Sequence, residues 1–359
     1  MSLILYVSRL FSPITVRGRT LPNRAWVSPM CQYSATDGVP GDWHLVHLGQ
    51  FATGGAGLVM TEATAVTPEG RISPQDTGIW NDTQVEAWRR IVDFVHGQGT
   101  AIGMQLGHAG RKGSAHRPWE GPGSVPPAEG GWESVGPSAT AFGQYAVPRA
   151  LTTAEVEALP EAFAEAARRA ESAGFDVLEL HFAHGYLVHQ FLSPLSNTRT
   201  DRYGGDFEGR TRLALEIADA VRATTDVPLF ARLSATDWTE GGWTLDDSVR
   251  LAKLLAERGI DLIDTSTGGN NPAADIPVGP GYQVPFAERI RAETGLPTGA
   301  VGMITDPRQA EEIIENDQAD VVFLARALLR DPHWPLRAAN ALGADVPWPD
   351  QYARAKSWH

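Results

Sequence analysis

Residues 176–186 read DVLELHFAHGY, a short apolar run that leads directly into two histidines and a tyrosine. Val177–Leu180 predicts a buried strand, because apolar runs of this length bounded by turn residues are typical of parallel sheets. His181, His184 and Tyr186 would then lie at the carboxyl end of that strand, where parallel α/β sheets and barrels bind ligands. The stretch therefore predicts a functional site, although a His-x-x-His pair can also be half of a metal site.

The same pattern, an apolar run followed by a segment of helical spacing, recurs along the chain. The predicted strands are 24–29, 57–61, 101–106, 177–180, 228–234, 262–265, 297–301 and 321–324, and the predicted helices are 43–53, 83–98, 152–173, 207–224, 245–258, 285–294, 307–315 and 332–342. Eight alternating units imply parallel strands, and in a chain of 359 residues they fit a closed (β/α)₈ TIM barrel. A doubly wound open sheet is the competing architecture, but no Gly-x-Gly-x-x-Gly follows the first strand.

Two segments do not belong to this repeat. Residues 113–149 are rich in Pro, Gly, Trp and Ser without a stable period, and we predict a long excursion after strand 3, since loops of this length in compact domains are usually functional. Disorder is the alternative, and the aromatic residues of the segment argue against it because they can pack the loop down. Residues 346–359 are predicted to form a C-terminal tail, so that 1–359 is a single domain.

Charge and composition exclude several classes of partner. Lys plus Arg total 30 and Asp plus Glu total 43, which gives a net charge of −13 and disfavours nucleic acids and anionic membranes. The single cysteine, Cys31, excludes an internal disulfide, a cysteine-ligated iron–sulfur cluster and a multi-cysteine zinc site. The apolar residues 1–7 are too few to span a bilayer and lack the layout of a signal peptide. We therefore expect a soluble, cytoplasmic protein that acts on small molecules.

If the barrel is correct, the residues at successive strand ends all face one mouth: Cys31, Tyr33, Ala63, Gln105, His108, His181, His184, Tyr186, Arg232, Gly302 and Arg326. The loops after strands 7 and 8 are the usual phosphate site of such a barrel. Arg232 lies within strand 5, where a cation needs an anionic or electron-rich partner, either a ligand or an Asp or Glu across the barrel. One ligand that carries a phosphate and an electron-withdrawing ring would satisfy all of these groups.

Eight short motifs are spread in order over almost the whole chain: SPMCQY (28–33), EATAV (62–66), GRI (70–72), QLGHAGRK (105–112), HFAHGYL (181–187), SPLSN (193–197), RTDRYGG (199–205) and GAVGMI (299–304). These motifs resemble those of the Old Yellow Enzyme family of flavin reductases, in the bacterial thermophilic-like subgroup that includes xenobiotic reductases.

This resemblance implies an FMN-dependent ene-reductase, with FMN bound noncovalently in the barrel and reduced by NADPH or NADH. The reduced flavin would pass hydride from N5 to the β-carbon of an activated alkene such as an enone, an enal or a nitro-alkene. The residues implied to hold FMN are Ser28, Pro29, Met30, Cys31, Ala63, Gln105 and Arg232 at the flavin ring and Gly302, Ala325 and Arg326 at the phosphate, with no metal. Ala325 stands where the family often has Gly, and its N–H is still available to a phosphate.

The same resemblance implies the catalytic roles. His181 and His184 would donate hydrogen bonds to the carbonyl or nitro oxygen of the substrate. Tyr186 would protonate the α-carbon, and Cys31 would tune the flavin potential. The substrate site would be completed by Tyr33, and by Arg354 and Trp358 from the tail of a neighbouring subunit, so that a homodimer or a dimer of dimers is expected.

Two other functions stay open on the sequence alone. A metal-dependent hydrolase or aldolase on the same barrel could use His181 and His184 as ligands, but Gln105 and Cys31 would then have no role. A non-catalytic flavin carrier would not need the two histidines and Tyr186.

Overall fold

The computed structural model describes residues 8–356, and its centre is a closed barrel of eight parallel strands. The strands in chain order are β1 (Ala25–Val27), β2 (Leu58–Ala65), β3 (Ala101–Gly107), β4 (Val177–Phe182), β5 (Leu229–Ser234), β6 (Leu262–Ser266), β7 (Thr298–Ala300) and β8 (Val321–Leu324). Each strand pairs with its neighbours in chain order, and β8 pairs with β1 to close the ring. The predicted (β/α)₈ barrel is confirmed, with strand ends that differ from the predictions by a few residues.

Helices connect the strands on the outside of the barrel. In the described part of the chain they are α1 (Asp42–Thr53), α2 (Asp82–Gly97), α3 (Thr153–Ala173), α4 (Leu187–Leu192), α5 (Phe207–Arg222), α6 (Leu245–Ala256), α7 (Val284–Thr294), α8 (Pro307–Glu315), α9 (Arg326–Arg330) and α10 (Trp334–Ala341). The sequence reading missed α4 and α9, because helices of six and five residues are too short to display a helical period. It also began the last helix two residues early.

The predicted helix starts follow from side-chain capping. Thr152 accepts a hydrogen bond from the backbone N–H of Glu155, and the Glu155 carboxylate accepts one in return from the N–H of Thr152, at 3.2 and 2.7 Å. Asn81 caps α2 in the same way, with its side chain accepting from the N–H of Gln84 at 3.1 Å. Such caps satisfy backbone donors that the first helical turn leaves without partners.

The half of the barrel interior nearer the amino-terminal ends of the strands, the lower half, is apolar. Trp26 is fully buried there, stacked on Phe230 with a centroid distance of 5.8 Å and edge-on to Phe323 at 5.5 Å. A β-hairpin of Ile14–Val16 and Arg19–Leu21, which the sequence reading did not predict, adds side chains to the same cluster and so closes the amino-terminal end of the barrel.

The upper half of the interior is polar, and the strand register sets the positions of its side chains. Gln105 on β3 is paired with Glu179 on β4. One row higher, His181 on β4 is paired with Arg232 on β5, and Arg232 with Asp264 on β6. Because paired residues of parallel strands point to the same face, these side chains form two adjacent rows inside the barrel.

The excursion of residues 113–149 packs back onto the barrel. A two-residue parallel pair joins Val135–Gly136 to Arg149–Ala150. Three aromatic residues anchor the segment: Trp132 donates from Nε1 to the carbonyl of Glu69 at 2.9 Å, Phe142 lies under the ammonium of Lys112 at 3.9 Å, and Trp119 meets Tyr33 edge-on at 5.8 Å. Among residues 8–356, no helix is both long and apolar enough to cross a bilayer.

We predict that Trp26→Ala lowers the free energy of unfolding by about 3–5 kcal/mol, because it leaves a cavity between two aromatic rings in the barrel interior. Trp43→Ala is the matched control, since the Trp43 side chain is 57% exposed, and its cost should stay within about 1 kcal/mol. Urea unfolding of the two apoproteins measures the difference. Equal decreases in the free energy of unfolding for the two variants would contradict the packing described for the lower half of the barrel.

Candidate active site

His181, His184 and Tyr186 form one ring cluster at the carboxyl end of β4. The ring of His181 is 5.1 Å from that of His184 and 5.1 Å from that of Tyr186, edge-on to both. The sequence-predicted convergence of these three side chains is therefore found in the structure. Burial, with a further contribution from Arg232, lowers the pKa of both histidines well below the usual range, so both imidazoles are neutral at pH 7.

The hydrogen bonds around the two histidines restrict which ring nitrogen carries the proton. The backbone N–H of Ala183 donates to Nδ1 of His181 at 3.4 Å, so the proton of this neutral ring is on Nε2. His184 Nε2 lies 2.8 Å from Oγ of Ser266. Oε1 of Gln283, at 3.4 Å, is a second acceptor for the one hydroxyl proton of Ser266; when that proton is donated to His184, Nδ1 of His184 carries the ring proton and is the donor.

Tyr186 and Cys31 both hold their protons at neutral pH. Burial, assisted by nearby ionisable groups that include Cys31 and Tyr33, raises the pKa of Tyr186 well above its usual value. Burial also raises the pKa of the Cys31 thiol, and the carboxyl groups of Asp76 and Glu62 raise it further. Cys31 is thus a neutral thiol that can act as a weak hydrogen-bond donor, and its reactivity as a nucleophile is low.

Arg232 lies inside the barrel and is 5% exposed. Its Nε lies 3.0 Å from Oδ2 of Asp264, and its Nη2 donates to Oγ of Ser28 at 3.1 Å. The ion pair left open by the sequence reading is therefore present, on the neighbouring strand β6. Among the described residues Nη1 of Arg232 makes no hydrogen bond.

Two buried carboxyl groups adjoin Arg232, and sequence reasoning did not assign either to the site. Nε2 of Gln105 donates to Oε1 of Glu179 at 2.7 Å, which fixes the Gln105 amide with its oxygen on the other side. Burial, with repulsion from Asp264, raises the pKa of Glu179 to about 8, and burial raises that of Asp264 to about 6. The raised pKa of Glu179 favours its neutral form, and Asp264 is the partner that pairs with Arg232. Glu179 and Asp264 could have been found in the sequence, because each is an acidic residue within a predicted apolar strand.

The remaining predicted ring contacts surround this polar interior. Ser28 follows β1 and is buried, whereas Pro29 and Met30 after it and Ala63 on β2 are half-buried. Tyr33 has a left-handed backbone, with φ of 53°. The apolar cluster at the mouth combines Cys31, Tyr33, Ala63 and Tyr186 with Tyr145 from the excursion.

Two residues of this mouth were missed as site residues. Tyr145 lies in the excursion, close enough to raise the pKa of Tyr33 and Tyr186. Lys112 donates from Nζ to the carbonyl of His184 at 2.8 Å, and burial lowers its pKa to about 7. The signal for Lys112 was its place in the QLGHAGRK motif directly after strand 3. His108, also counted at the mouth, is buried, and burial lowers its pKa to about 4.

The predicted phosphate residues converge on one side chain. Gly302, after β7, has φ of 126°, and a Cβ there would lie 3.1 Å from Cε1 of Tyr282. Arg326, exposed at the start of α9, is close enough to Tyr282 to oppose the rise in its pKa that burial causes. Ala325 precedes Arg326 and is half-buried. A glycine turn beside an exposed guanidinium is suited to a phosphate group.

The C-terminal tail lies at the other end of the barrel. Pro347, Trp348 and Gln351 share a surface cleft with residues that precede β1, β2 and β3, namely Asn23, Gly55 and Thr100. Arg354 is exposed in the 3₁₀ helix Asp350–Ala355, and Trp358 is outside the described residues. The described part of the tail, up to residue 356, therefore lies away from the mouth of its own barrel.

The donor set fits a flavin mononucleotide and does not fit a metal. Gln105 and Arg232 are donors suited to an electron-accepting ring, and Gly302 and Arg326 would be suited to its phosphate. Within residues 8–356 no group of three or more His, Cys, Asp or Glu side chains could hold a metal ion, so the hydrolase alternative is not supported. The fold and site define a flavin-dependent oxidoreductase on a (β/α)₈ barrel.

Comparisons with known proteins agree with this assignment to the flavin-dependent oxidoreductases. Residues 9–345 match the model of the NADH:flavin oxidoreductase / NADH oxidase family. The chain is 49% identical to an NADPH dehydrogenase of Geobacillus thermodenitrificans over 96% of this chain and 98% of that one, and 47% identical to an NADPH dehydrogenase of Bacillus subtilis over 96% and 98%. Among solved structures, morphinone reductase superposes with a TM-score of 0.79 at 30% identity over 97% of this chain and 93% of that one. The Old Yellow Enzyme homologue from Zymomonas mobilis gives 0.78 at 30% identity over 97% and 96%.

The chain belongs to the NADH:flavin oxidoreductase / NADH oxidase family, and its resemblance to Old Yellow Enzyme is confirmed. It is an FMN-dependent oxidoreductase that takes its electrons from NAD(P)H.

We predict opposite effects for the two halves of the Arg232–Asp264 pair. Arg232→Met removes the buried cation that we expect to contact the flavin, so the reduction potential should fall and the Kd for FMN should rise about 10- to 100-fold, since a contact to a charged group contributes roughly 1.5–3 kcal/mol. Asp264→Asn leaves Arg232 unbalanced, so the potential should rise. Equilibrium reduction against a reference dye measures both shifts. Equal potentials in the parent and both flavin-loaded variants would contradict the pairing.

Proposed function

We propose that this enzyme reduces the carbon–carbon double bond of activated alkenes, such as enones, enals and nitro-alkenes. The observation that carries the proposal is the ring cluster of His181, His184 and Tyr186, which combines two neutral imidazoles and a protonated phenol at the mouth above Arg232. Bound FMN supplies hydride from N5 to the β-carbon of the alkene. The protein residues bind and polarise the substrate and supply the proton.

His181 and His184 are proposed to hold the carbonyl or nitro oxygen of the substrate. Neutral imidazoles can each donate one N–H, and the tautomer of His181 leaves its Nε2–H available for this contact. Negative charge grows on the substrate oxygen as the β-carbon accepts hydride. Donors fixed in advance stabilise that charge more than they stabilise the neutral substrate, and this difference accelerates the reaction.

Tyr186 is proposed to protonate the α-carbon. Its raised pKa keeps the phenol protonated over the neutral range, and transfer to an enolate-like carbon is favourable because that carbon is the stronger base. Cys31 as a neutral thiol would adjust the flavin potential, and Tyr33 would line the substrate site. The cytoplasmic location and the choice between NADPH and NADH stay predictions.

We propose the following FMN contacts: Ser28, Pro29, Met30, Cys31, Ala63, Gln105 and Arg232 around the ring system, and Gly302, Ala325 and Arg326 around the phosphate. Nη1 of Arg232 would lie beside the pyrimidine edge of the flavin, where reduction places negative charge. Glu179 supports this assignment, because its hydrogen bond holds the Gln105 amide in one orientation.

The oxygen-binding role is tested with the double variant His181→Ala plus His184→Ala. Loss of a single donor of this type typically lowers the rate by about 10²–10³, so reoxidation of the reduced flavin by cyclohexenone should fall at least that far. Reoxidation by dioxygen is the internal control, because it needs no donor to a carbonyl oxygen. Stopped-flow absorbance of the flavin gives both rates, and an unchanged rate with cyclohexenone would refute the assignment.

We also propose that Arg354, together with Trp358, completes the substrate site of a neighbouring subunit in a homodimer or a dimer of dimers. Support comes from the position of the tail at the amino-terminal end of its own barrel, so that an active-site role for Arg354 requires a second chain. The exposed guanidinium has no ion-pair partner among the described residues, whereas nearby Lys356 is paired with Asp345 at 2.6 Å.

Arg354→Ala should therefore raise the KM for cyclohexenone several-fold and leave FMN binding unchanged, because a lost contact to a charged group costs about 1.5–3 kcal/mol. Lys356→Ala is the matched control, because Lys356 is an exposed cation that already has a partner on its own chain. Deletion of 353–359 should also reduce the oligomeric mass measured by light scattering. A truncated protein with parental mass and kinetics would rule out the shared site.

A further inference from the structure

The turn that carries His184 and Tyr186 has a backbone that needs external support. His184 and Gly185 both have left-handed conformations, with φ of 59° and 69°. A non-glycine residue in this region costs about 1 kcal/mol or more. Gly185 cannot be replaced, because a Cβ there would lie 2.2 Å from the carbonyl oxygen of Gly269.

The backbone N–H of Gly185, between the two functional residues, is held by a side chain outside the ring cluster. It donates to Nδ1 of His189 at 2.8 Å. Because Nδ1 accepts this bond, the proton of the His189 ring is on Nε2. Nε2 lies 2.8 Å from Oδ1 of Asp237, and both side chains are fully buried.

Asp237 is itself fixed in position. Its Oδ2 accepts hydrogen bonds from Oγ of Ser193 at 2.5 Å and from the N–H of Trp243 at 2.9 Å. Burial alone would raise the pKa of Asp237, but the contacts with His189, Ser193 and Trp243 lower it below its usual value, so the group is an anion at neutral pH. The loop after β5 therefore braces the turn after β4 through one carboxylate and one imidazole.

We propose that His189 and Asp237 are positioning residues for alkene reduction: Asp237 fixes the tautomer of His189, and His189 fixes the Gly185 N–H and with it the directions of His184 and Tyr186. The inference rests on the proposed roles of His184 and Tyr186. Neither His189 nor Asp237 touches the substrate or FMN. Their effect is confined to the step in which oxygen binding and proton transfer must coincide.

Two variants separate positioning from stability. Asp237→Asn is isosteric, and its amide NH₂ would face Nε2 of His189, because its oxygen is needed by Ser193 and Trp243. That reverses the His189 tautomer and sets an Nδ1–H against the Gly185 N–H, two donors in contact. His189→Leu removes the acceptor altogether. His189→Asn is the rescue variant, because it places an amide oxygen near the former Nδ1 and should restore much of the rate that His189→Leu loses.

The chain provides a matched control at the opposite end of β4. His96 Nε2 lies 2.7 Å from Oδ2 of Asp176, the residue before the strand, so this pair has the same chemistry and is remote from the mouth. His96→Leu should lower thermal stability without changing the half-reactions. It measures what a lost histidine–aspartate contact does by destabilisation alone.

The experiment measures FMN Kd, flavin reduction by NADPH and reoxidation by cyclohexenone in H₂O and D₂O. For Asp237→Asn and His189→Leu we expect near-parental FMN Kd, reoxidation slower by about 10- to 100-fold, and a larger solvent isotope effect, because proton transfer is misaligned. kcat should change more than KM. His189→Asn should recover most of the rate.

Parental reoxidation and isotope effect in both variants would overturn the proposal. So would equal losses in FMN binding, reduction and reoxidation, the signature of destabilisation alone. Should His189→Leu not fold, the isosteric Asp237→Asn decides the outcome. Tyr186→Phe in the same assay tests the underlying function: a parental rate there refutes the proton-donor role, whereas a slow Tyr186→Phe beside a fast Asp237→Asn refutes only the positioning role.

Discussion

The buried guanidinium of Arg232 and its ion pair with Asp264 are the interaction on which the upper barrel depends. A cation inside a protein is costly unless it is paired, and a partner on the neighbouring strand, 3.0 Å away, supplies the pairing. Asp264 offsets much of the charge that Arg232 can offer to a reduced flavin. In the proposed site, the potential of the flavin would therefore depend on the difference between these two buried charges.

The register of the barrel strands places these side chains next to one another. Parallel pairing puts His181, Arg232 and Asp264 in one row and Gln105 beside Glu179 in the row below. The apolar layer around Trp26 fills the space beneath these rows, so that the polar side chains are directed to the carboxyl-terminal mouth. Hydrogen bonds with the side chains of Lys112, Ser234 and His189 then hold the His184–Tyr186 turn, whose backbone is left-handed at two residues.

Much of this arrangement could be predicted from the sequence, because it depends on local patterns. Apolar runs predicted all eight barrel strands, and the residues that follow the fourth run predicted the ring cluster of His181, His184 and Tyr186. Partners brought together only by the closed barrel were not readable: Asp264 looked like one acidic residue in a strand, and Tyr145 lies in a segment without periodicity. The short hairpin and the helices α4 and α9 were missed because a few residues cannot display a period.

Isotope labelling of the product tests the central claim, alkene reduction by this site, most directly. The enzyme is incubated without oxygen with cyclohexenone and NADPH deuterated at the transferring C4 position, and in parallel with unlabelled NADPH in D₂O. We predict cyclohexanone with deuterium on carbon 3 in the first case and on carbon 2 in the second. Absence of the saturated ketone, or deuterium from NADPH on carbon 2, would contradict the account.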